Sequence, residues 1–186
     1  MRIGILAVQG AFIEHEKMLE KLGIETVEIR QKKDILLPME GIILPGGEST
    51  VMGKLLRELN MMEDLRDRIN SGMPVLATCA GLILLAQHIS GDETVHIGTL
   101  PITVRRNAYG RQLGSFMAKE YTKGIGEFPM TFIRAPYVEY AAPEVEVLAR
   151  VEEKIVAVRY KNQIGIAFHP ELTKDSRLHE EFVKMC

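Results

Sequence analysis

The stretch Val75-Leu76-Ala77-Thr78-Cys79-Ala80-Gly81-Leu82-Ile83-Leu84-Leu85-Ala86 decides how this chain is read. An apolar run ends on a cysteine, two small residues follow, and a second apolar run begins. That pattern describes a strand turning sharply into a helix, with Cys79 at the crest of the turn. Ala77, Ala80 and Gly81 are the small residues that let backbone and neighbours pass such a turn. At a helix N-terminus the unpaired N–H groups and the macrodipole favour negative charge, which eases thiolate formation. The competing reading is an inert buried thiol, the usual fate of a lone cysteine among apolar residues.

A second segment weighs against that reading. Ile164-Gly165-Ile166-Ala167-Phe168 reads as a strand that runs directly into His169-Pro170-Glu171. On an extended backbone, residues two apart point to the same side, and Pro170 favours extension of the residue before it. His169 and Glu171 therefore form a base with its orienting carboxylate. With Cys79 they make the three parts of an activated nucleophile, provided the two segments meet in space.

Outward from these segments the first half alternates strands at 3–8, 24–29, 41–45 and 74–78 with helices at 12–22, 49–59, 62–71 and 80–88. Such a rhythm predicts an α/β fold with a mostly parallel sheet flanked by helices in three layers. Ligands of such sheets lie beyond the carboxyl ends of the strands, where Gln9, Gly46-Gly47 and Cys79 fall. In the first helix Met18, Leu19 and Leu22 form a core-facing stripe. After about residue 95 runs at 99–105, 113–119, 130–134, 145–150, 154–160 and 163–168 predict additional antiparallel strands. A closing helix is expected at 175–184, with Thr173 and Asp175 as candidate caps. No repeat, linker or low-complexity stretch interrupts the chain, and 186 residues suit one domain spanning 1–186.

The net charge of −2 and the lack of a basic block argue against nucleic acid as a partner. Two cysteines without a CxxC pair give neither a disulfide framework nor a zinc ribbon, and point to a reducing, cytoplasmic setting. The apolar N-terminus is too brief to span a membrane and is read as the first strand. His15, His88, His96 and His179 show no metal-ligand spacing and are read as structural.

Pro45-Gly46-Gly47-Glu48-Ser49-Thr50 reads as a strand-to-helix turn, with Ser49 or Thr50 as a candidate N-cap. Its functional reading is that the Gly47 N–H, with that of Ala80, forms an oxyanion hole beside Cys79. A phosphate loop is rejected, because Gly53-Lys54 is followed by Leu55 and the leading position is Glu48. Arg105-Arg106 and Arg134 are either solvated or hold a substrate carboxylate.

Taken together, these residues resemble the class I (triad) glutamine amidotransferases, whose domain is flavodoxin-like. Within them the likeness is to the glutaminase subunits of pyridoxal 5′-phosphate synthases. The segments that carry it are Gly4-Ile5-Leu6-Ala7-Val8-Gln9-Gly10, Pro45-Gly46-Gly47-Glu48-Ser49-Thr50, Thr78-Cys79-Ala80-Gly81-Leu82-Ile83, Arg105-Arg106-Asn107-Ala108-Tyr109-Gly110, Ile133-Arg134-Ala135-Pro136 and Phe168-His169-Pro170-Glu171-Leu172. The family's elbow usually opens on glycine where this chain has Ala77. The resemblance implies that Cys79 attacks the side-chain amide of glutamine, that His169 aligned by Glu171 moves the protons, and that a glutamyl thioester is hydrolysed to glutamate. It implies a glutamine site made by Gly46, Gly47, Glu48, Arg106, Ile133 and Arg134. Gln9 falls near the oxyanion region and the partner interface. It further implies no metal or cofactor, and ammonia delivery to a separate (β/α)8 synthase subunit, as a dodecameric core carrying one glutaminase per synthase. A glutaminase of imidazole glycerol phosphate synthesis, a peptidase-like relative and a non-catalytic scaffold are the alternatives.

Overall fold

The computed structural model describes residues 1–107 and 114–186. Its first half runs β1 (Arg2–Leu6), α1 (Phe12–Lys21), β2 (Glu25–Ile29), a short α2 (Lys32–Ile35), β3 (Gly41–Leu44), α3 (Ser49–Glu58), α4 (Met62–Asn70), β4 (Val75–Thr78) and α5 (Ala80–Leu85). Then come β5 (Ala86–Ile89), β6 (Leu100–Arg105), β7 (Ser115–Thr122), β8 (Gly126–Ile133), β9 (Tyr137–Ala141), β10 (Glu146–Val151), β11 (Lys154–Tyr160) and β12 (Gln163–Ile166). A 3-10 turn, Pro170–Leu172, and α6 (Arg177–Val183) follow.

The main sheet has the order β2-β1-β3-β4-β12-β11-β9-β6-β5, with β10 paired to β11. From β2 to β12 neighbouring strands are parallel, and β11 begins the antiparallel side. Every residue of β3, β4 and β12 is buried, as apolar strands covered on both faces must be. In α1 the buried side chains are His15, Met18 and Leu19, one stripe at helical spacing, while Leu22 is only half-buried. The fold therefore matches the three-layer α/β expectation, antiparallel additions included. Among the described residues no helix is long and apolar enough to cross a membrane.

Register places the site. Ile166 of β12 sits beside Thr78 of β4, and Leu44 of β3 beside Ala77, so three strands end together. Close approach of the preceding loop depends on Gly10: its φ is +104°, and a Cβ there would lie 2.0 Å from the carbonyl oxygen of Gly46. The Ala11 N–H donates to that same oxygen at 2.9 Å. From the other side the β7–β8 hairpin closes over the strand ends. Thr131 accepts a hydrogen bond from the His169 N–H at 2.8 Å, and the Phe132 ring meets Phe168 edge-on at 5.6 Å.

Some boundaries differ from expectation. The helix expected at 80–88 ends at Leu85, and Ala86–Ile89 instead forms β5, parallel to β6. The Leu84 carbonyl is taken by the N–H groups of Ile97 and Gly98, at 2.9 and 3.2 Å, which stops helix propagation. β9 was not foreseen, and residue 113, the expected start of the strand at 113–119, lies outside the described residues. α6 begins at Arg177, later than expected; the Asp175 carboxylate still accepts from the Arg177 N–H at 3.1 Å, and Thr173 Oγ1 from the Asp175 N–H at 3.2 Å.

Candidate active site

Cys79 stands between β4 and α5 at φ 48° and ψ −101°. A side chain in the left-handed region carries strain of order 1–3 kcal/mol, tolerated where the surroundings over-determine it. Here the Cys79 N–H is held by the Ile166 carbonyl at 2.8 Å. Gly81 is held against β3 so closely that a Cβ would lie 2.1 Å from the Leu44 carbonyl oxygen. The turn thus needs the small residues the sequence supplies, and it leaves Cys79 a free thiol, 7% exposed, with Sγ 3.9 Å from the Ile133 carbonyl.

The expected extended His-Pro-Glu segment is not extended. Pro170–Leu172 is a 3-10 turn entered from His169 at φ −111° and ψ 87°, because a proline suits the first position of a helical turn. The turn, rather than strand alternation, brings the pair together: His169 Nδ1 lies 2.7 Å from Glu171 Oε1. With Nδ1 engaged, the Nε2 edge is left for Cys79. Burial lowers the His169 pKa, but hydrogen bonds with Cys79 and Glu171 outweigh it and raise the pKa to about 10. Burial works to raise the pKa of Glu171, yet attraction to His15 and the hydrogen bond with His169 hold it below the usual carboxylate range.

A pocket of about 580 Å³ opens over this pair. Cys79, His169, Gln9, Gly46, Gly47, Glu48, Ala80, Arg106, Ile133 and Arg134 all line it, so every sequence-derived site residue except Glu171 faces one cavity. Glu171 lies behind His169, its side chain fully buried. Gly46 fits because a Cβ would come 2.3 Å from His169 Cε1 and 3.4 Å from Cys79 Cβ. Gln9 Oε1 accepts the Glu48 N–H at 2.9 Å, and a Cβ on Gly47 would meet that oxygen at 2.4 Å.

The cap of α3 is Glu48, whose Oε1 accepts from the Thr50 N–H at 3.3 Å, rather than Ser49 or Thr50. Glu48 is the last extended residue before the helix, so its carboxylate is the group that can fold back. Arg106 reaches the pocket wall with its guanidinium on Asp92 at 2.6 Å and Thr50 Oγ1 at 3.3 Å. Arg134 sits at φ 44°, its N–H bonded to the Gly114 carbonyl at 2.6 Å. Of the basic segment, Ala108, Tyr109, Gly110 and Arg111 lie outside the described residues. Sequence reasoning missed Gly10, Ala11, Ser49, Thr50, Ile83 and Asn107 as pocket residues; Asn107, next to Arg106 in the sequence, carried the clearest signal. His15, read from the sequence as structural, has its Nε2 3.5 Å from Glu171 Oε2.

Comparison with known proteins identifies relatives of the whole chain. The pyridoxal 5′-phosphate synthase subunit PdxT of Desulfitobacterium hafniense is 61% identical over 183 residues, 98% of this chain and 92% of that protein. The PdxT subunit of Streptococcus pneumoniae is 53% identical over 189 residues, 100% of this chain and 97% of that one. The crystal structure of a glutamine amidotransferase superposes with a TM-score of 0.94 at 44% identity, covering 98% of this chain and 97% of its own. The PurLQS structure from Thermotoga maritima, at 15% identity and a TM-score of 0.72 over 98% of this chain and 97% of its own, shares the fold. Residues 5–186 match the SNO glutamine amidotransferase family, and the chain belongs to that family.

Proposed function

We propose that this chain hydrolyses L-glutamine to L-glutamate and ammonia with Cys79 as nucleophile, and that the ammonia serves pyridoxal 5′-phosphate synthesis on a separate synthase subunit. The observation that carries the chemistry is His169, hydrogen-bonded to Glu171 at 2.7 Å and sharing the wall of one pocket with Cys79. The names of the PdxT relatives, 53–61% identical over nearly the whole chain, support the destination of the ammonia.

The sulfur attacks the side-chain amide carbon, and the carbonyl π pair moves to oxygen. Gly47 and Ala80, both on the pocket wall, supply the N–H groups for that oxyanion in this reading. As the tetrahedral adduct collapses, His169 gives its Nε2 proton to the leaving nitrogen, and ammonia departs from a glutamyl thioester. With the sulfur acylated, His169 loses the partner that helped keep it protonated, so it becomes the base that takes a proton from water. Hydroxide adds, the thiolate leaves, and glutamate is released with His169 again protonated. Glu171 keeps Nδ1 protonated throughout. Gly46, Glu48, Arg106, Ile133 and Arg134 form the wall that receives the amino acid end of glutamine, and Gln9 ties the strand-end loop to Glu48. The synthase partner is a (β/α)8 subunit in a dodecameric core that carries one glutaminase per synthase and stimulates it on docking.

Nitrogen-source switching tests this directly. Cys79→Ala mixed with the synthase is expected to form pyridoxal 5′-phosphate from ammonium salts at the wild-type rate. From glutamine it should form product at least about a thousandfold more slowly, as loss of a nucleophile demands. Glutamine-driven synthesis by that variant would overturn the mechanism.

A further inference from the structure

Behind Glu171 lies a pair of buried histidines that the triad leaves unused. His15 on α1 is fully buried, with Nε2 at 3.5 Å from Glu171 Oε2 and 3.3 Å from Thr78 Oγ1. Its Nδ1 lies 2.9 Å from Nε2 of His179 on α6, also fully buried. Among the described residues, Glu171 Oε2 and His179 Nδ1 have no hydrogen-bond partner.

Burial drives both imidazoles toward the neutral form, for His15 against the pull of Glu171, so each ring has one proton to place. Suppose His15 held it on Nδ1. It would donate to His179 Nε2, leaving His179 with a buried Nδ1–H that has no acceptor. His15 would also turn a lone pair toward the carboxylate. With the proton on Nε2 of both rings, His179 donates to His15 Nδ1 and the His15 N–H faces Glu171 Oε2, with Thr78 Oγ1 beside it. On the two rings only one lone pair, that of His179 Nδ1, stays unfilled, and an unfilled acceptor costs less than a stranded donor.

We infer that His15 is a positioning residue for glutamine hydrolysis, its ring edge steering the second oxygen of Glu171 through an electrostatic contact at 3.5 Å, and through it the ring of His169. The inference rests on the hydrolytic reading above. It gives a directed chain of N–H groups from His179 through His15 to Glu171, with His169 donating to Glu171 from the other side and facing Cys79. A carboxylate gripped by one oxygen alone can rotate, and a base displaced by a fraction of an ångström loses rate without losing substrate. Because α1 starts just after Gln9 and Gly10, the same helix joins the orienting layer to the pocket wall.

The test compares His15→Gln, whose amide N–H falls near the position of Nε2, with His15→Met, which fills the space without a donor. Both are assayed with the synthase, below their melting temperatures. His15→Met is expected to lower kcat about 10- to 100-fold with KM for glutamine within about threefold, and His15→Gln to recover most of the loss. Wild-type kcat in His15→Met overturns the inference and leaves the glutaminase reading standing; equal losses in both variants mark a packing role and also overturn it. ¹⁵N NMR of the unsubstituted protein decides the matter without either variant or any activity. Protonation of His15 on Nε2 supports the inference, and protonation on Nδ1 overturns it. Should the wild-type pair release no glutamate, the hydrolytic reading fails, and with it the catalytic role of His15, whatever its tautomer.

Discussion

His169 draws its behaviour from two neighbours on opposite edges of one ring, Glu171 on Nδ1 and Cys79 on the other side. Because its pKa stands at about 10 against an ordinary 6.5, the imidazolium contributes stability that is present in full below pH 6.5. That contribution is lost as pH rises through about 10. Removing the sulfur removes one of the two raising influences. In Cys79→Ala, NMR titration of His169 should therefore give a midpoint below the wild-type value; an unchanged or higher midpoint would show that the sulfur does not hold the proton. At this scale the sequence was informative about which side chains meet, since Cys79, His169 and Glu171 were singled out from two distant segments and lie together in the fold. It read His15 as structural because no metal-ligand spacing surrounds it, and only the fold shows that Glu171 stands 3.5 Å from its ring.

The elbow works as an element because α5 is pressed onto β3. A Cβ on Gly81 would lie 2.1 Å from the Leu44 carbonyl oxygen and 2.8 Å from its carbon, backbone atoms that cannot swing away. Gly81→Ala is thus expected to destabilise the protein by about 1–3 kcal/mol through overpacking. A denaturant midpoint equal to wild type would contradict the packing described. Ala77 is fully buried, and its register partner Gly165 can carry no side chain, since a Cβ there would meet Leu82 Cδ1 at 2.7 Å. Apolar strands and the helices between them were legible because burial on both faces writes itself as continuous apolar runs. The Leu84-Leu85-Ala86-Gln87-His88-Ile89 stretch was not, since the same residues suit a helix or a strand. Hydrogen bonds from Ile97 and Gly98 settle it. The His169–Glu171 contact was foreseen for the wrong local reason, because a 3-10 turn and a strand both bring a residue near its second neighbour.

Across the whole molecule, topology does what no local pattern could announce. β12 is the last strand of the chain, yet it inserts beside β4, so residues ninety positions apart in sequence share one pocket. The two cysteines illustrate the selectivity that follows. Cys79 lies at the crest beside His169, whereas Cys186, at the C-terminus, has its thiol pushed up to about 11 by burial and the nearby Glu40. The most direct test of the central claim is to treat the chain, in complex with its synthase, with a thiol-directed glutamine analogue and map the adduct by mass spectrometry while following glutamate release. The account predicts one adduct per chain, on Cys79, with glutamate release lost in proportion to labelling. Label on Cys186 instead, or glutamine turnover that survives full labelling of Cys79, would contradict it.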